Sequence, residues 1–162
     1  MANPLVVDLG FGAAAHTTRE LADRIIAVKP GARIVGIEID PERVAAAKPF
    51  ETQSVTFRHG GFEIPVDGRP DIVRAFNVLR QYDEPEVAGI WETIRARLAP
   101  GGLFIDGTCD EIGRVATWVA ITPDGPDSFS VSLRLADLDE PSIAAERLVK
   151  ALIHRNVPGE RI

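Results

Sequence analysis

Apolar residues in this chain fall into short, nearly unbroken runs, with helix-spaced stripes between them. The first run is Leu5–Leu9, with Val6 and Val7 adjacent. A run in which neighbours are both apolar needs cover on both faces, as in a parallel strand. Similar runs recur at Ile34–Ile39, Ser54–Arg58, Asp71–Phe76 and Leu103–Gly107. Between the first two, Thr17-x-x-Glu20 has the form of a capping box, and Leu21, Ile25 and Val28 then share one face, so a helix is predicted from Thr17 to Lys29-Pro30-Gly31. Asp40-Pro41 reads as an N-cap with proline at the first helical position, opening an alanine-rich helix that runs to Lys48 before Pro49. Asp83 caps a third helix with Pro85 just inside, and Val87, Trp91, Ile94 and Leu98 form its stripe. The stretch from Gly60 to Pro70 is too short and turn-rich for a crossover helix.

The pattern changes after residue 107. Val115–Thr122 reads as a strand, with a helix from Glu111 as the alternative. Phe129, Val131, Leu133 and Leu135 alternate with Ser130, Ser132 and Arg134, the signature of a half-buried strand. Thr122-Pro123-Asp124-Gly125-Pro126 supplies the turn between them. Too few residues separate this pair from the fifth strand for a parallel crossover, which needs a dozen or more. Val115–Thr122 is therefore predicted antiparallel to the fifth strand, with Phe129–Leu135 outermost. A last helix is predicted from about Ser142 to His154, followed by a tail containing Val157-Pro158-Gly159. The expected fold is α/β: a doubly wound, mostly parallel sheet with helices on both faces and an antiparallel C-terminal hairpin at one edge. Residues 1–162 are expected to form one domain that lacks an N-terminal helical cap.

Composition narrows the partners. Of 162 residues, 45% are hydrophobic and 26% charged, ordinary for one globular domain. Eighteen basic against 24 acidic residues give a net charge of −6, which disfavours general nucleic-acid binding. Cys109 is the one cysteine, so an internal disulfide is excluded and a reduced, cytoplasmic setting fits. No apolar run is long enough to span a membrane. A homodimer is compatible with the composition.

Candidate chemistry enters through Val6-Val7-Asp8-Leu9-Gly10-Phe11-Gly12. An apolar strand ends in a glycine turn, where a ligand can approach bare backbone. Ligands of such sheets bind at the carboxyl ends of the strands, which would place Asp8, Gly10, Glu38, Gly61, Asn77 and Cys109 along one rim. A carboxylate at Asp8 would repel a pyrophosphate and attract an ammonium or sulfonium group. That favours a cationic, adenosine-bearing ligand such as S-adenosylmethionine. Glu38, ending the second strand, can accept hydrogen bonds from two ribose hydroxyls; Asp40 is assigned to its helix cap.

Taken in order, four segments over about residues 4–108 resemble the class I S-adenosylmethionine-dependent methyltransferases, a Rossmann-like family. They are Val6–Gly12, Val35-Gly36-Ile37-Glu38-Ile39, Asp71–Leu79 and Leu98-Ala99-Pro100-Gly101-Gly102-Leu103. The resemblance implies methyl transfer from S-adenosylmethionine to an acceptor, a small molecule or a protein, that the sequence does not identify. It implies that Asp8 helps fix the methionine amino group and that Gly10, Phe11 and Gly12 wrap the methionine portion. Glu38 would hold the ribose, Ile39 would pack on adenine, Gly61 and Phe62 would border it, and Phe76 and Asn77 would lie below the reacting methyl.

The chain departs from the family pattern at several points. Ala14 stands where the family's third glycine is usual, and Gly61 where an acid or amide usually meets the adenine amine. The C-terminal hairpin follows the fifth strand without the usual helix. Acceptor-side candidates are Asn77, Arg80 and Tyr82, with Cys109, Asp110, Glu111 and His16 nearby in the pattern; none is assigned as the catalytic base. Asp110-Glu111 has no histidine partner, so no metal site is expected. Three other readings stand beside this one: a non-catalytic S-adenosylmethionine-binding module, an NAD-binding Rossmann oxidoreductase based on Gly10-x-Gly12-x-x-Ala15, and a protein–protein adaptor on the same fold.

Overall fold

The computed structural model describes residues 3–138 and 140–155. Seven strands form one sheet: β1 (Leu5–Leu9), β2 (Arg33–Glu38), β3 (Val55–His59), β4 (Ile72–Phe76), β5 (Leu103–Cys109), β6 (Val115–Thr122) and β7 (Gly125–Leu133). Their order is β3-β2-β1-β4-β5-β6-β7. The first five are parallel, while β5–β6 and β6–β7 are antiparallel. The strand order reverses between β1 and β4, so the crevice at their carboxyl ends is the expected ligand position.

The adjacent valines of β1 explain the layering. Val6 enters one core with Ile34, Val55 and Phe57, under α1 (His16–Val28) and α2 (Pro41–Ala47). Val7 enters the other with Val35, Ile37, Val73 and Phe104, under α3 (Glu84–Arg97), which contributes Val87 and Ile94. Each such side chain removed from water contributes roughly 1.5–3 kcal/mol. The α3 start is as expected: the Asp83 backbone N–H donates to the Glu86 carboxylate at 2.9 Å. No helix joins β3 to β4; an irregular crossing does so, burying Ile64 and Val66. β6 takes the strand alternative, and Asp110 closes the turn before it, accepting from Arg114 N at 2.7 Å. Among the described residues no helix is long and apolar enough to cross a membrane.

Some expectations need correction. α1 begins at His16, and its N-cap Ala15 makes no side-chain hydrogen bond, so Thr17-x-x-Glu20 does not cap it. The threonines are drawn elsewhere: Thr17 Oγ1 donates to the Phe11 carbonyl at 3.3 Å, and Thr18 Oγ1 to Asp8 at 2.7 Å. Tertiary partners, not a local box, fix the helix entry. The last helix is two 3₁₀ stretches, Pro141–Arg147 and Lys150–Arg155. Extended backbone at Leu148 separates them and lets Leu148 and Val149 both be buried. β7 begins four residues earlier than expected, at Gly125, and ends at Leu133. Val157-Pro158-Gly159 lies outside the described residues.

One buried acid has an energetic consequence. Asp106 of β5 is 2% exposed and accepts from Trp91 Nε1 of α3 at 3.0 Å. Burial pushes its carboxyl up to about 7, and the indole hydrogen bond only partly opposes this. The folded state therefore holds a proton that the unfolded chain releases near the ordinary carboxyl value of 3.8. Stability is fullest below that value and falls as pH rises toward 7, by roughly 4 kcal/mol in all. Asp106→Asn imitates the protonated form. In urea unfolding, the variant should match the wild type at acidic pH, exceed it at pH 8, and lose this component of the pH slope.

Candidate functional site

A single turn of backbone shapes the crevice. After β1 the chain reverses through Gly10 and Gly12, at φ +70 and +84, where side chains are strained. Gly10 N donates to the Ile37 carbonyl at 2.7 Å, pressing the turn against β2. A Cβ at Gly10 would lie 2.5 Å from Val78 Cγ2, whereas one at Gly12 would meet nothing. Gly10 is thus required by both conformation and space, Gly12 by conformation alone.

Glu38 anchors the same turn from the other side. Its carboxylate is buried and accepts from Gly12 N at 2.9 Å, Ile39 N at 3.0 Å and Asp40 N at 3.3 Å. Asp40 caps α2 as expected, accepting from Glu42 N at 2.8 Å. Arg43, one turn into α2, approaches both acids, at 3.4 Å from Asp40 and 3.9 Å from Glu38.

These groups border a cavity of about 730 Å³ at the carboxyl ends of β1, β2, β3 and β4. That lies within the range of small-molecule and cofactor sites. Of the residues singled out in the sequence, Gly10, Phe11, Gly12, Glu38, Ile39, Gly61, Phe62, Phe76, Asn77 and Tyr82 line it. Phe62 and Tyr82 meet edge to face, with centroids 5.1 Å apart. The Phe76 ring lies against Gly107 of β5, where a Cβ would come within 2.4 Å of it.

Several assignments change. Asp8 does not line the cavity. Its carboxylate is 1% exposed and is held by Arg74 at 2.7 Å and by Thr18 at 2.7 Å. Arg74 stands directly across from Asp8 in the β1–β4 register, so the acid arrives already neutralised. The negative charge that faces the cavity belongs to Glu38, Asp40 and Glu63 instead. Phe11 packs its ring on Phe57 at 5.1 Å and belongs to the core as well as to the wall.

Asn77, at φ 60, ties the strand ends together. Its Oδ1 accepts from Cys109 N at 3.0 Å and its Nδ2 reaches Cys109 Sγ at 3.4 Å. Arg80, Cys109, Asp110, Glu111 and His16 do not line the cavity.

Sequence reasoning missed Arg43, Gly60, Glu63, Val78 and Gln81, and gave Asp40 only its cap. Arg43 was accessible in principle, since three residues past an N-cap a helix returns to the same side. Glu63 was not, because its place depends on the irregular crossing. There, Glu63 Oε1 accepts from Gly61 N at 2.9 Å, so the carboxylate folds back over the very glycine that replaces the family's usual acid or amide. Among the described residues, no group of three or more His, Cys, Asp or Glu side chains is placed to hold a metal ion.

Comparison with known proteins agrees with this geometry. Residues 7–106 match the family model described as "Methyltransferase domain". No curated protein matches the sequence. Among solved structures, human N-acetylserotonin methyltransferase in complex with SAM is 28% identical with a TM-score of 0.51, over 68% of this chain and 32% of that one. An S-adenosylmethionine-dependent methyltransferase from Mesorhizobium loti aligns at 21% identity and a TM-score of 0.52, over 66% of this chain and 47% of its own. Magnesium protoporphyrin IX methyltransferase from Synechocystis PCC 6803 with bound SAH aligns at 20% and 0.52, over 67% and 48%. The latter two speak to the fold. The chain spans 32% to 48% of the length of these structures.

The two glycines of the turn give a graded expectation. Gly12→Ala should cost the strain of a positive φ, about 1–3 kcal/mol. Gly10→Ala should cost more, because the new methyl must also displace Val78. Melting temperatures of the two variants would show this order; equal losses would mean that Val78 yields freely.

Proposed function

The chain belongs to the methyltransferase domain family, whose donor is S-adenosylmethionine, and from that membership we propose that the cavity beside the glycine turn holds this donor and presents its methyl group to an acceptor. The observation that carries the reading is the buried Glu38 carboxylate at the edge of a cavity of cofactor size. The residues fit the group: bare backbone at Gly10 and Gly12 for the amino-acid portion, Glu38 for the ribose hydroxyls, and Ile39 with Phe62 as apolar walls for a purine. Glu63 is the candidate acceptor for the adenine amine, in the place that Gly61 leaves vacant.

When bound, the donor supplies an activated methyl on a sulfonium. The work left to the chain is alignment, which can be worth roughly 7–11 kcal/mol. Phe76 and Asn77 form the part of the wall at the end of β4, and Asn77 is held rigid by Cys109. Tyr82 and Gln81 add polar groups on the same side. These residues would orient the acceptor, and Tyr82 is the candidate to relay a proton where the acceptor must lose one. Arg80 drops out of this set. Asp8 acts at one remove, by fixing α1 behind the turn through Thr18.

The acids on the wall also separate this reading from a pyridine-nucleotide one. Among the described residues of the wall, Glu38, Asp40 and Glu63 are countered by Arg43 alone, a poor setting for a pyrophosphate and a favourable one for a sulfonium. Calorimetry should show saturable binding of S-adenosylhomocysteine and none of NADH. Glu38→Gln, which keeps the shape of the loop anchor, should weaken S-adenosylhomocysteine several-fold or more. Glu63→Gln should weaken it less and leave the melting temperature unchanged. Tight NADH binding across the glycine turn, or unchanged affinity in Glu38→Gln, would overturn the assignment.

A further inference from the structure

The outer edge of the sheet has no strand beside it. β7 pairs with β6 through Thr117↔Val131, Trp118↔Ser130 and Val119↔Phe129, and among the described residues nothing pairs with its other side. A free strand edge offers a row of backbone donors and acceptors, and proteins that leave one open usually blunt it with charges, proline or a bulge. From Ser128 to Leu133 this edge has none of these; the register shift lies earlier, opposite Pro126. Two apolar side chains on it stay in water, Phe129 at 40% and Val131 at 47% exposure. Leu135 and Ile143, in the chain that follows, are exposed as well.

We infer that this edge pairs with the same edge of a second copy of the chain, antiparallel about a two-fold axis through Ser130. The pattern Ser-Phe-Ser-Val-Ser of residues 128–132 complements itself in that arrangement. Opposed residues in an antiparallel pair share a face, so Ser130 meets Ser130 of the partner copy, Ser128 meets Ser132, and Phe129 meets Val131 on each side of the axis. Like faces like: serines on one surface, apolar groups on the other. Beyond these five residues the match stops: Asp127 of one copy comes opposite Leu133 of the other, so the pairing ends there. A two-fold contact needs one patch complementary to itself, and this edge is such a patch. The joined strands make one continuous sheet across two copies, with each cofactor cavity, on the β1–β4 side, left clear of the contact.

Sedimentation or light scattering at increasing concentration should show twice the chain mass of 17.5 kDa. Val131→Lys sets like charges beside the axis at an exposed position, and should raise the dimer dissociation constant at least tenfold while the chain stays folded. Ser130→Cys supplies an independent measurement. Two thiols facing each other across the axis should form a disulfide-linked dimer with oxidised glutathione, while the wild-type chain, with Cys109 alone, should not. A chain that stays monomeric at its highest soluble concentration overturns the inference. So does a dimer that Val131→Lys leaves intact, or one in which Ser130→Cys fails to cross-link.

Discussion

A carboxylate cut off from water must be paired, and at Asp8 that requirement organises the centre of the molecule. Asp8 closes the first strand, and its two ligands come from elements that would otherwise be independent: Thr18 from α1 and Arg74 from β4. Removing one partner from such a pair typically costs about 3–5 kcal/mol. The pair therefore locks the entry of α1 to the point where the strand order reverses. Arg74 then carries the constraint outward, since its guanidinium sits 4.5 Å over the Phe76 ring. Phe76 in turn rests on a glycine that leaves it room. Thr18, Asp8, Arg74, Phe76 and Gly107 form one chain of contacts from a helix start to the cavity wall.

Glu38 applies the same rule one strand over. Its buried carboxylate is satisfied by three backbone N–H groups, one of them from the glycine turn. Charged acceptors make the stronger hydrogen bonds, so the acid proposed for the ribose already holds the glycine turn beside the cavity. On the proposed reading, donor binding and local stability are coupled there, and a truncation at Glu38 would disturb both. Asp8 separates them, being wholly structural in its contacts while standing in the sequence where a ligand contact would be sought.

The strands were legible because burial on both faces leaves a direct trace, runs such as Val6-Val7 and Val35-Gly36-Ile37. The edge hairpin was legible because alternation marks a half-buried strand and because the connection from β5 was too short for a crossover. The cavity wall was mostly legible as well, since the ends of successive strands in a doubly wound sheet must converge. What escaped was set by partners distant in sequence. Nothing local indicates that Arg74, 66 residues away, reaches Asp8, or that Thr18 abandons a cap to join them. Glu63 likewise owes its place to an irregular crossing whose path depends on burying Ile64 and Val66.

The sheet order also divides the molecule in time. β5, β6 and β7 join through tight antiparallel connections and need only their own neighbours in sequence. β1 gains its second flank only when Val6 meets Ile72, so this strand waits for chain more than sixty residues younger. Closing long loops before their contacts form is the slow part of building such a topology. Until β4 emerges, the apolar β1 has half its pairing open, and that interval is one of exposure to misassembly.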